Sequence, residues 1–244
     1  MTRSILIFAA LVFFLAAACG QSGIRKPTRI PEADLPEPGR ILVYDFAVSE
    51  QEVKEYQGIM RQQPAIKNAA ERERLLAQEV KDALADELIE ALKALGFAVQ
   101  RVPRGTRTAD RDLLIDGQFV TVDQGDPFQR VVVGFGKGAS AISARVQVYQ
   151  APQSRMLLEL TAHSDSGKLP GAAPLLGAGA LAQGGVTAGM VVANATGSGV
   201  KTYKSDLARM AAATGDQVAR YLSEFFATHG WIRPDQVRKA RIIY

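Results

Sequence analysis

Few residues in this chain could do chemistry, and they are scattered. There are two histidines, His163 and His229, and one cysteine, Cys19. Two histidines without thiolates at a recognisable spacing do not make a zinc site, which needs three or four ligands. The expectation is therefore no metal and no cofactor, with both histidines on the surface. Ser140, Ser143 and Asp126 could join a histidine in a Ser-His-Asp arrangement, but no strand-to-helix nucleophile elbow surrounds either serine. The carboxylate pairs Asp110 with Asp112, and Glu87 with Glu90, read as turn and solvated-helix charges rather than as an acid and base. The expectation is a chain without catalytic residues.

Gly134-Phe135-Gly136-Lys137-Gly138 has the composition of a phosphate loop. Such loops feed a helix whose free amides face the phosphate. Here strand-like alternation follows, and the spacing before Gly-Lys is too short, so a glycine-rich hairpin or bulge is the better reading. Nucleic acid is not an expected partner. The 29 basic and 25 acidic residues nearly balance at a net +4, and no aromatic platform for bases accompanies them.

Cys19 has the clearest chemistry. Arg3 precedes the continuous apolar run from Ile5 to Ala18, which is too short to span a bilayer comfortably and fits a secretory signal. The run closes on Leu15-Ala16-Ala17-Ala18-Cys19, which looks like a bacterial lipobox with Ala16 where leucine is common. Cleavage before Cys19 would leave a thiol to be capped by lipid as a thioether. Gly20 follows where an aspartate commonly retains such proteins in the inner membrane. The expectations are a signal over 1–18, lipid on Cys19, and an exported, lipid-anchored protein. In a Gram-negative cell it would sit on the outer membrane, facing the periplasm.

The elements that must position these groups follow from periodicity. Residues 19–39 hold Pro27, Pro31, Pro36 and Pro38 with few large apolar side chains, which predicts an extended tether from the lipidated cysteine. A single domain is expected over 40–232, with a mildly basic tail over 233–244. Arg40 to Val48 reads as the first core strand. Leu76, Val80, Leu84, Leu88, Leu92 and Leu95 predict an amphipathic helix over 71–95 stopped by Gly96, with Glu87, Glu90 and Lys93 on its wet side. Phe97 to Val102 would pair parallel with the first strand across that helix. Strands are expected at 112–122, 131–135, 141–150 and 156–163, the last two as a hairpin. A second amphipathic helix is expected from Ser205 to Thr228. The fold class is α+β: a mixed, mostly antiparallel sheet with amphipathic helices packed on it.

Between Lys168 and Lys201 there is no charged residue. Ala173, Gly177, Gly185, Gly189, Ala193 and Gly197 fall on a four-residue lattice. On a helix they would form a groove for close helix packing. A glycine-rich loop or hairpin is the alternative for 169–200, because each glycine costs a helix about 1 kcal/mol.

Arg40-Ile-Leu-Val-Tyr-Asp-Phe-Ala-Val48, Val133-Gly-Phe-Gly-Lys-Gly-Ala-Ser140 and Ala144-Arg-Val-Gln-Val-Tyr149 together resemble the bacterial family catalogued as domain of unknown function 4410. The resemblance spans about Arg40 to Trp231 and brings no catalytic residues. The element order is also similar to the periplasmic domains of curli-secretion lipoproteins and the amino-terminal domain of TolB, a likeness of fold that does not fix function. These readings imply a membrane-anchored envelope protein with a non-enzymatic interaction or assembly domain. Its expected partners are the membrane, through Cys19, and other envelope proteins, with a homo-oligomer as a further possibility. The alternative is a secretion or pore accessory that oligomerises or inserts through the Gly/Ala segment.

Overall fold

A computed structural model describes residues 21–30, 35–48, 53–54, 69–123, 140–152, 155–166, 192–193, 200–201 and 205–244. The strands are β1 (Ser22–Arg29), β2 (Arg40–Tyr44), β3 (Val53–Lys54), β4 (Val99–Val102), β5 (Asp112–Asp123), β6 (Ala141–Gln150), β7 (Arg155–Asp165), β8 (Val192–Ala193) and β9 (Val200–Lys201). The helices are α1 (Ala69–Ala94) and α2 (Asp206–Thr228).

Seven strands form one mixed sheet in the order β1-β7-β6-β5-β2-β4, with β3 also paired to β5. The long ladders, β1 with β7, β7 with β6 and β6 with β5, are antiparallel. The short ladders of β2 with β4 and with β5 are parallel. This is the α+β class that the sequence patterns predict. The expected parallel pairing of the strands flanking α1 is present as β2 with β4.

Alternation decides which face of the sheet is covered. Ile142, Ala144, Val146 and Val148 of β6 are fully buried. They join one core with Val80, Leu84, Leu88 and Leu92 of α1 and with Leu207, Val218, Leu222 and Phe225 of α2. Ser205 caps α2, its hydroxyl accepting from the Ala208 amide at 3.1 Å. Gly96 and Gly230 follow the two helices with φ of 99° and 72°, left-handed conformations that glycine adopts without strain.

Four expectations need correction. The segment after Cys19 is not wholly a tether, because β1 lies at the sheet margin paired with β7, and Ile24 is fully buried. Pro27 is accommodated because it falls inside the register shift between Arg25 and Thr28, where the ladder is interrupted anyway. The segment over 233–244 is not a free tail either. The Ile24 amide donates to Arg241 O at 2.7 Å, the Ile243 amide donates to Ile24 O at 2.9 Å, and Arg238 holds Asp216 at 2.6 Å.

Glu87 is buried rather than solvated, because α2 approaches α1 there at Gly215. Asp112 is no turn charge. It is buried at the start of β5, where Arg40 holds it through two bonds of 2.8 Å and the Ala109 amide donates to it at 2.7 Å.

Candidate functional site

The sheet face opposite the helices carries the polar half of each alternating strand. On β6 these residues are Ser143, Arg145, Gln147 and Tyr149. Pairing sets Ser143 opposite His163, Arg145 opposite Thr161 and Gln147 opposite Glu159 on β7. On the other side, Arg145 faces Gln118 and Gln147 faces Asp116 on β5. Directly opposed side chains on one sheet face lie close enough to bond.

Two clusters result. In the first, Gln147 Nε2 donates to Glu159, Tyr149 Oη donates to Gln147 Oε1 at 2.9 Å, and Arg104 donates to Asp116 and to Gly117 O, the latter at 2.9 Å. Arg104, Asp116, Gln118, Arg145 and Gln147 line a shallow polar cavity of about 120 Å³. Burial raises the Tyr149 hydroxyl pKa, and the carboxylates of Asp116 and Glu159 push it the same way.

In the second cluster, Ser143 Oγ lies 2.8 Å from His163 Nδ1, and His163 Nε2 lies 3.4 Å from Asp165 Oδ2. His163 is buried at 8% exposure, not on the surface as its position on an outward strand face suggests. Burial lowers its pKa below the usual histidine value and the nearby Arg25 adds to this, while Asp165 opposes. The neutral ring that results would accept a hydrogen bond from the Ser143 hydroxyl on Nδ1 and turn its Nε2–H toward Asp165.

Serine, histidine and aspartate in contact resemble a nucleophile triad in residue type. The surroundings differ. Ser143 stands inside β6, paired with β5 on one side and β7 on the other, and not on a strand-to-helix turn. Asp126, the acid considered from sequence, lies outside the described residues, and Ser140 is buried with its amide donating to Ser166 Oγ at 3.0 Å. The Ser143–His163 contact ties β6 to β7.

A pH dependence follows. An unfolded histidine titrates near 6.5, whereas folded His163 resists protonation. The unfolded chain therefore binds the proton first as pH falls. Stability is full above about pH 6.5 and declines below it, through the lowered folded pKa. His163→Asn should flatten that part of the stability curve. Urea unfolding midpoints measured from pH 7 down to pH 5 check it, and a wild-type midpoint that stays flat there would contradict the assignment.

His229 caps the end of α2 and packs on Phe225, with ring centroids 4.6 Å apart. Among the described residues no group of three or more His, Cys, Asp or Glu could hold a metal. No described helix is long and apolar enough to cross a membrane. Ala193 lies in β8, which pairs antiparallel with β9. Cys19, Gly134–Gly138 and Ala173, Gly177, Gly185, Gly189 and Gly197 lie outside the described residues.

Fold and site define an α+β domain: a mixed sheet covered by helices on one face and laid with cross-bonded polar side chains on the other. The chain belongs to the family described as Domain of unknown function (DUF4410), whose pattern matches residues 41–183. No curated protein matches. Among solved structures, a point-substituted PelC dodecamer from Paraburkholderia phytofirmans is 10% identical and covers 90% of this chain and 99% of its own, with a TM-score of 0.38. A second PelC dodecamer from that organism has the same identity and coverage and a TM-score of 0.37. Protein XCC0632 from Xanthomonas campestris is 14% identical, with 85% and 95% coverage and a TM-score of 0.35.

Proposed function

We propose that the chain is an exported, lipid-anchored envelope protein whose α+β domain works by binding rather than by catalysis. The observation that carries this reading is the position of β1. The strand begins at Ser22, three residues beyond Cys19, and Gln21 is already fixed to Asp165 through its amide at 3.2 Å. β1 is thus fixed into the sheet by its ladder with β7 within three residues of that cysteine. A lipidated cysteine at that junction would tie the domain directly to a membrane.

The polar sheet face supplies the binding surface in this reading. Gln147 bonds both Tyr149 and Glu159, and Ser143 bonds His163, so a partner would meet a partly preorganised pattern of donors and acceptors. Cys19→Ser should abolish lipid attachment and move the protein from the membrane to the soluble fraction. Metabolic labelling with a radioactive fatty acid decides: label retained by the serine variant at the parent's level would refute lipid attachment at this residue.

A further inference from the structure

We infer that the sheet margin formed by β1 and the carboxyl-terminal segment is a docking surface for an anionic lipid bilayer, an inference that rests on the proposed anchoring at Cys19. Only Gly20 separates Cys19 from Gln21, and two residues of chain span at most about 7 Å. Gln21 is not free to swing. Its amide bonds Asp165 Oδ1 at 3.2 Å and its carbonyl accepts from the Asp165 amide at 2.9 Å. Lipid on Cys19 would therefore hold this corner of the domain against the headgroups, instead of letting the domain float on a tether.

What lies along that margin is basic. β1 reads Ser-Gly-Ile-Arg-Lys-Pro-Thr-Arg, with three cations and no carboxylate. Two of the cations are turned into the fold. Arg25 acts on His163, and Arg29 donates to Tyr221 Oη at 2.9 Å with its guanidinium 4.7 Å from the ring centroid. Lys26 is exposed.

The carboxyl-terminal segment runs parallel beside β1, with Ile242 bridged to Ile24. Its Lys239 and Arg241 are exposed, and so are Ile242 and Tyr244. The neighbouring acids are already engaged. Asp216 is held by Arg220 and Arg238, each at 2.6 Å, and Glu224 accepts from the Ala240 amide at 2.7 Å. Lys26, Lys239 and Arg241 are thus left facing outward beside exposed isoleucine and tyrosine. Cations interleaved with amphipathic and apolar side chains suit the headgroup layer, where each basic residue near an anionic surface adds attraction.

The test uses the full mature chain carrying Cys19→Ser, so that the lipid cannot mask the contact. The probes are vesicles of phosphatidylcholine alone and of equal parts phosphatidylcholine and phosphatidylglycerol. The protein should bind the mixed vesicles, ignore the neutral ones and be released by salt. Joint Lys26→Glu, Lys239→Glu and Arg241→Glu should weaken binding at least about tenfold. Joint Arg74→Glu, Lys93→Glu and Arg107→Glu makes the same charge change at exposed sites elsewhere and should retain more of the binding. Matching melting temperatures establish that both variants remain folded.

Equal loss in the two sets, or no preference for the anionic vesicles, overturns the docking surface. Its failure is distinct from failure of the anchoring proposal, because fatty-acid labelling of Cys19 reads the anchor alone.

Discussion

Phe226→Ala should lower the unfolding free energy by about 3–5 kcal/mol. Phe226 is fully buried near the end of α2. Its ring lies 4.9 Å from that of Phe97, 6.1 Å from Phe225 and 5.4 Å from Trp231. Phe225 belongs to α2 itself, whereas Phe97 comes from a distant part of the chain. Phe97 is where the chain leaves α1 to enter β4, and Trp231 is where it leaves α2. Trp231 in turn donates its indole N–H to Leu35 O at 3.2 Å, fixing the approach to β2.

Removing the ring would leave a cavity between Phe97 on one side and Phe225 and Trp231 on the other, which cannot close without moving α2 against the start of β4. In a chain of this size the melting temperature should fall by roughly 10 °C. Phe226→Leu keeps most of the volume and should cost less than half as much. Thermal and urea unfolding of the two variants measure the difference. Equal, small losses would show that the aromatic cluster is not a packed unit.

The parts of this fold legible in the sequence are those with a strong period. The alternation of β6 announces which of its residues are buried, and the stripe from Leu207 to Phe225 announces the buried face of α2. The illegible parts depend on contacts between distant segments. Glu87 occupies a polar helix position, and nothing local shows that Gly215 lies against it. Ile24 stands in a proline-containing stretch without visible period, and its strand character comes from β7 on one side and Ile242 on the other.

The Ser143–His163 contact is instructive in another way. Near the turn, Tyr149 faces Met156 and Gln150 faces Arg155, a register that would set Ser143 opposite Ala162. A shift between Val148 and Tyr149 moves Val148 opposite Leu158 and brings His163 to Ser143. One bulged residue decides whether the serine meets an imidazole or a methyl group, and bulges have no reliable composition signal. Cys19 and the lattice around Gly185 were legible only as chemistry and composition. The mildly basic composition of 233–244 was legible, but its place beside β1 was not.

Gly215→Leu should destabilise the protein by about 3 kcal/mol, and Gly215→Ala by about 1–2 kcal/mol, against the ordinary direction of helix propensity. Glycine inside a helix normally costs about 1 kcal/mol relative to alanine, so alanine at an open helical site is stabilising. Position 215 is closed. A Cβ built there would meet Leu84 O at 2.6 Å and Glu87 Cβ at 3.4 Å. The first contact is with backbone inside α1, which cannot rotate away, so the helices must separate along the line where both cover the sheet.

That separation would loosen Val80, Leu84 and Leu88 on one side and Ala211, Val218 and Leu222 on the other, all residues of the single core. It would also expose the stem of Glu87. The ordering glycine, alanine, leucine from most to least stable is the diagnostic, and denaturant melts of the three proteins read it. Should Gly215→Ala instead gain about 1 kcal/mol, propensity alone would be operating there, and the helices would not touch at this point.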